Sequence, residues 1–198
     1  MKKAKKIGIT EIVLVGVFAA LVYAAHWIRL PIETPVDRTA IHLGNILCLL
    51  SGFVLGPLWG GMAAGLGPML FDMTYPGYFA SWPFTLVFKF IMGFLCGLIG
   101  SRTRVSAGFD LASKITAAAA GQLAYVFLYL GKGIVWDGML VAGLVPKAAF
   151  VRTMTANALP SVINALIAVA ISAPLALALQ KALKNVPLYR NFAGRRNL

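Results

Sequence analysis

Three sets of polar and aromatic residues recur at helical spacing inside otherwise apolar stretches. Trp82, Thr85 and Lys89 are spaced three and four apart. Gln122, Tyr125, Tyr129 and Lys132 are spaced three, four and three, and Thr153, Asn157, Ser161 and Asn164 four, four and three. Such spacing places each set on one face of a helix. Amides, hydroxyls, aromatic rings and ammonium groups hold small molecules by hydrogen bonds and stacking. One such stripe alone reads as hydrogen bonding between helices. Three together, at matching depth, read as the walls of a ligand cavity, and Arg152 adds a cation beside the third. Polar groups within apolar helices are costly and face a bundle interior or a cavity.

Lys89 is the most informative of these residues. It lies seven residues into its apolar run, about 10 Å along a helix axis. An unpaired ammonium there is expensive. Asp72 is the candidate partner, in a Lys89–Asp72 ion pair that pins two helices. Lys89 also suits an anionic or carbonyl group of a ligand, and the two roles are compatible.

The residues for catalysis are missing. The only histidines are His26 and His42, no HExxH stands in the chain, and the six acidic residues form no evident catalytic pair. Cys48 and Cys96 lie in apolar runs without a CxxC or a Cys/His cluster, so they read as small buried apolar residues. Gly131-Lys132-Gly133 resembles the end of a phosphate loop. It lacks the following Ser or Thr, and Val126 stands where the first glycine belongs. Gly60-Gly61-Met-Ala-Ala-Gly65-Leu-Gly67 fails the dinucleotide pattern. No catalytic residue, metal or cofactor is expected, and the chain does not read as an enzyme.

The elements that position these stripes follow from composition. Of 198 residues, 60% are apolar and 12% charged, against about half and a quarter in a soluble domain. The excess falls in runs of about 15–25 residues, enough to cross a hydrocarbon core of about 30 Å. The expected fold is all-α: one integral membrane domain over the whole chain, with six transmembrane helices at about 11–28, 42–56, 58–73, 82–100, 113–130 and 152–183. The second and third are short for full spans. Pro160 and Pro174 kink the sixth, which a membrane bundle tolerates. The start at Met1-Lys-Lys-Ala-Lys-Lys resembles a signal peptide, but the run that follows is long and Ala24-Ala25-His26 is a poor cleavage context; a retained helix is expected.

The net charge of +12 suggests nucleic acid in a soluble protein. Here the basic residues lie between apolar runs and at the ends, which membrane topology explains better. With six helices, twelve of the 18 Lys and Arg residues fall on the side of the termini and six on the other, so both termini are expected in the cytoplasm. The basic tail after Asn185 reads as a solvated end near anionic lipid. The segment from Arg29 to Arg38 holds Pro31 and Pro35 and four charges, and is either a solvated connection or a stiff lid.

Gly16, Ala20 and Ala24 lie four apart and form a smooth stripe that another helix can approach closely. Gly61 and Gly65, and Gly93 and Gly97, repeat that spacing and read as packing within the bundle. His42-Leu-Gly44-Asn-Ile-Leu-Cys-Leu-Leu-Ser-Gly52-Phe-Val-Leu-Gly56-Pro57-Leu-Trp-Gly60-Gly61, then Gly65-Leu-Gly67 and Asp72, resembles the substrate-binding S components of energy-coupling-factor (ECF) transporters. Pro83-Phe-Thr85-Leu-Val-Phe-Lys89-Phe-Ile-Met-Gly93 with Gly97 continues the match. The resemblance implies a six-helix protein of the prokaryotic plasma membrane that binds a vitamin or precursor. It also implies a membrane scaffold subunit and two cytoplasmic ATPases as partners, with the loaded S component toppling in the membrane. In the family, a small-residue stripe on the first helix meets the scaffold; Gly16, Ala20 and Ala24 match it, with Gly in place of one Ala. Family ligands sit in the outer part of helices four to six beneath the loop after the first helix.

Two other classes stand beside this reading. A membrane enzyme acting on lipid needs a nucleophile or an acid pair at one depth. A small secondary transporter needs inverted repeats and an acidic coupling site. Neither pattern is evident. The ligand itself stays open. Tyr125, Tyr129 and Trp82 suit a planar ring, Asn157 and Asn164 a polar edge, and Lys89, Lys132 and Arg152 an anionic group. These fit a pantothenate-like acid, a pyridoxine- or pyrimidine-like ring, or something larger.

Overall fold

Among the described residues, the apolar runs form six α-helices in the computed structural model: α1 Ile9–His26, α2 Gly44–Leu55, α3 Pro57–Thr74, α4 Trp82–Arg102, α5 Leu111–Lys132 and α6 Lys147–Leu183. The structure describes residues 8–33, 38–102, 111–135, 147–183, 185–187 and 189. The basic start at Met1–Lys6, Pro35 of the first connection and the arginines of the tail lie outside the described residues. Helix α6 begins five residues before the expected position 152 and runs unbroken past Pro160 and Pro174 for 37 residues.

Among the described residues, four segments are long and apolar enough to cross a membrane: Ile9–His26, Phe79–Ser101, Leu111–Val135 and Val151–Leu183. Helices α2 and α3 are not among them. Helix α2 has 12 residues, about 18 Å against a hydrocarbon core of about 30 Å. Its short length is explained by its place: every residue but Leu47 is buried, so it lies at the centre of the bundle, where neighbouring helices surround it. The apolar core gathers around it, with Leu49, Leu55, Val22, Met92 and Cys96 fully enclosed.

Glycines set how close the helices come. Gly56 joins α2 to α3 at φ 84°, a conformation that favours glycine, and Pro57 follows at the first helical position, where its missing N–H costs nothing. A Cβ on Gly93 of α4 would lie 2.7 Å from Ala64 Cβ and 2.9 Å from the Gly60 carbonyl of α3. One on Gly52 of α2 would lie 2.5 Å from the Gly93 carbonyl. The small residues of α3 and α4 are therefore packing devices, and α2, α3 and α4 form one tightly joined unit.

The connection after α1 is folded, and not as a plain loop. Arg29–Glu33 (β1) and Arg38–His42 (β2) pair antiparallel, with Pro31 opposite Ala40. Leu43 N–H donates to the Ile28 carbonyl at 3.4 Å in line with this ladder. By alternation, Pro31 falls at a position that gives no hydrogen bond to β2, so its missing N–H is not needed there. Helix α1 ends two residues before the expected Ile28 because Ile28 has joined the ladder.

Substituting Gly93→Val should lower stability by about 1–3 kcal/mol through overpacking. Gly16→Ala, where a Cβ would meet nothing within 4 Å, should change it by at most about 0.5 kcal/mol. Thermal unfolding of the two variants in detergent checks the contrast.

Candidate ligand cavity

The hairpin, the last turn of α1, the ends of α3 and α5 and the start of α4 meet at one end of the bundle, against the middle of α6. Between them lies a cavity that leaves about 100 Å³ open to the centres of water-sized molecules. Its walls include Phe71 and Asp72 of α3, Phe84, Thr85, Phe88 and Lys89 of α4, Tyr125, Tyr129 and Lys132 of α5, and Ser161 and Asn164 of α6. His26, Arg29, Thr39, Ala40, His42 and Tyr78 close it from the hairpin side.

Lys89 is buried, 2% exposed. Its ammonium donates to the Asn45 side-chain oxygen of α2 and sits 3.9 Å from the centre of the Tyr125 ring. Asp72 instead accepts from the Thr85 hydroxyl at 2.5 Å. The expected direct Lys89–Asp72 pair is thus replaced by two separate contacts. Asn45, on the central helix, lies closer to the lysine than the carboxylate does, and an amide oxygen together with an aromatic face supplies the partners that a desolvated cation requires.

Side chains outside the ladder and within it fasten both strands of the hairpin. Asn164 accepts from the His42 backbone N–H at 2.9 Å and donates to the Ala40 carbonyl at 2.7 Å. Arg29 donates to the Tyr78 hydroxyl at 2.7 Å. Its guanidinium lies 5.3, 4.6 and 4.7 Å from the ring centres of Phe71, Tyr75 and Tyr78, within reach of cation–π attraction.

Two imidazoles lie side by side below the hairpin, their ring centres 4.7 Å apart. His26 Nδ1 donates to the Val22 carbonyl at 2.7 Å. Its ring lies against Gly44, where a Cβ would collide with it. Burial first, and then the fields of His26, Lys89 and Arg29, hold the His42 ring well below the ordinary histidine range, so it is neutral.

Of the residues singled out from spacing, Thr85, Lys89, Tyr125, Tyr129, Ser161 and Asn164 come together on the cavity wall with Asp72 and Lys132. Trp82, Arg152 and Asn157 are not on it. Trp82 is half-buried at the first residue of α4 and Arg152 is exposed. Asn157 is buried, and its backbone carbonyl accepts from Ser161 at 2.7 Å. Gln122 and Thr153 are buried away from the cavity. Sequence reasoning passed over His26, Arg29, Asn45 and His42. For His26, Arg29 and His42 the signal was position, beside the proline-bearing connection that becomes the hairpin.

A profile of the family described as "ECF-type riboflavin transporter, S component" matches residues 6–181. The chain belongs to that family. It is an S component, a class of membrane transport protein and not an enzyme family. A Pyrococcus woesei protein described as "Uncharacterized protein in gap 3'region" is 33% identical to this S component over 105 residues, which cover 50% of this chain and 67% of that protein.

Asn164→Ala removes both hairpin contacts from α6. The His42 backbone amide should then exchange with deuterium about tenfold faster, as expected for loss of about 1.4 kcal/mol of local protection. Hydrogen exchange measured by mass spectrometry on hairpin peptides reads this directly.

Proposed function

We propose that this S component captures a flat heteroaromatic vitamin, with riboflavin the first ligand to test, and delivers it for import using ATP hydrolysed by partner subunits. The observation that carries the reading is the cavity itself. Tyr125 and Tyr129 stack with ring centres 6.0 Å apart, and Phe71, Phe84 and Phe88 line the space with them. Such surfaces take a planar ring. The cations Arg29, Lys89 and Lys132 outnumber the single acid, Asp72, among the lining residues, so ring carbonyls or another electron-rich edge suit the site. The family description names riboflavin, whose ring system has that character.

The partners follow from the same reading: a membrane scaffold and two cytoplasmic ATPases, with both termini of this chain in the cytoplasm of a prokaryotic cell and the cavity opening outward. Gly16, Ala20 and Ala24 support it. All three are exposed on α1, and the space beside Gly16 is open. That face is free to receive the scaffold's helices.

Titration of the purified protein with riboflavin, followed by quenching of flavin fluorescence, tests the ligand. One-to-one binding that weakens about tenfold in Tyr125→Ala is the expected result. Binding of pantothenate but not riboflavin would sink the ring reading and point to an acid held by the cations. For the docking face, Ala20→Leu should cut uptake about tenfold or more in cells carrying the partner subunits, with riboflavin affinity unchanged. A parallel loss of affinity would mean that the stripe serves the cavity instead.

A further inference from the structure

The Lys89 ammonium is satisfied only in part. It carries three N–H donors, and among the described residues one acceptor meets them, the Asn45 side-chain oxygen. The Tyr125 face takes a second direction. At least one N–H is left for whatever occupies the cavity that Lys89 lines. Asn45 is fully buried and stands behind the cavity wall, not on it. Its Nδ2 would set donor against donor if it faced the ammonium, so the oxygen faces it. Nδ2 itself is buried with no hydrogen-bond partner. A buried amide left half unsatisfied beside a buried charge costs stability that two apolar side chains of similar size would not. Packing therefore does not account for this pair.

We infer that Asn45 is a positioning residue: it holds the Lys89 ammonium at the cavity wall without neutralising it, so that the charge stays available to an electron-rich edge of the ligand. The role rests on the flavin reading and deepens it, with the carbonyl-bearing edge of the ring as the part that meets Lys89. Asp72, the acid of the cavity wall, could also fix a lysine. An ion pair, however, would cancel much of the positive field that attracts a carbonyl edge. Asp72 is held instead by the Thr85 hydroxyl, at 2.5 Å, and the lysine is left to a neutral amide. Asn45 stays in place because α2 and α4 are joined further along both helices. A Cβ on Gly52 would lie 2.5 Å from the Gly93 carbonyl, and Cys96 Sγ donates to the Leu49 carbonyl at 3.5 Å.

The test reads riboflavin affinity by flavin fluorescence quenching on the full-length protein in detergent, with thermal unfolding without ligand to verify that each variant is folded. Asn45→Asp keeps the size and the acceptor and adds a negative charge. It should hold the lysine at least as firmly, yet bind riboflavin about tenfold more weakly, because the carboxylate takes the charge from the ligand. A residue that served the fold alone gives the opposite result: unchanged affinity in folded Asn45→Asp overturns the role and leaves the flavin reading standing. Should that variant not fold, Asn45→Ala decides in two backgrounds. It should weaken riboflavin binding about tenfold in the otherwise wild-type chain, and by less than about twofold in Lys89→Met, where no ammonium remains to be held. Equal losses in the two backgrounds, or none in the first, overturn the role. Wild-type protein that binds no riboflavin ends the flavin reading, and the role that rests on it, before any variant is compared.

Discussion

Helices α2, α3 and α4 approach so closely that carbonyl oxygens occupy the places side chains would take. The Gly93 carbonyl stands where a Cβ on Gly52 would be, and the Gly60 carbonyl crowds the same site on Gly93. This contact leaves the three helices one arrangement. Asp72 on α3 and Lys89 on α4 therefore reach the cavity from fixed positions, with Asn45 of α2 bonded to the lysine. A lysine 2% exposed is tolerable only where its partners do not move, because a buried polar network that is partly satisfied costs more than an apolar core. The rigidity of the glycine contact and the placement of the charge are one requirement.

Helices α1 and α5 also pack closely, with a Cβ on Gly67 placed 2.6 Å from the Ala19 carbonyl and one on Gly121 2.6 Å from the Met92 carbonyl, and the hairpin covers the end of this bundle. Helix α1 shows solvent or lipid a face of Val13, Val17 and Leu21 together with its small residues. The hairpin rests on the bundle through Arg29 and Asn164. The molecule thus divides into a firm wall carrying Lys89 and a hairpin cover carrying His42, with the ligand space between. Binding at such a boundary couples the two parts, because any molecule that touches Lys89 and His42 together joins wall to cover.

Much of this was legible in the sequence, for reasons that differ by residue. The helices were legible because hydrophobic length is a direct consequence of spanning lipid. Lys89, Tyr125 and Asn164 were legible because a polar residue in an apolar run has few places to go. Spacing alone did not separate Asn164 from Asn157, since both lie on one face of α6; contact with β2 at one level of the helix distinguishes them. The hairpin was not legible because Pro31 and the charges around it also suit an open loop. Asn45 was hidden because one amide in a run of leucines carries no periodic signal. Lys89 chose it over Asp72 through a tertiary proximity that no local pattern records.

Asn164 has a consequence apart from ligands. Ala40 and His42 are two apart, so the carbonyl of one and the N–H of the other emerge on the same edge of β2, the edge turned away from β1. An exposed edge of this kind is a template on which a further strand, from the same protein or another, can add. The side-chain amide of Asn164 satisfies both groups in the way a neighbouring strand's peptide would. One residue on a helix thus covers the outer edge of β2 where a further strand would add.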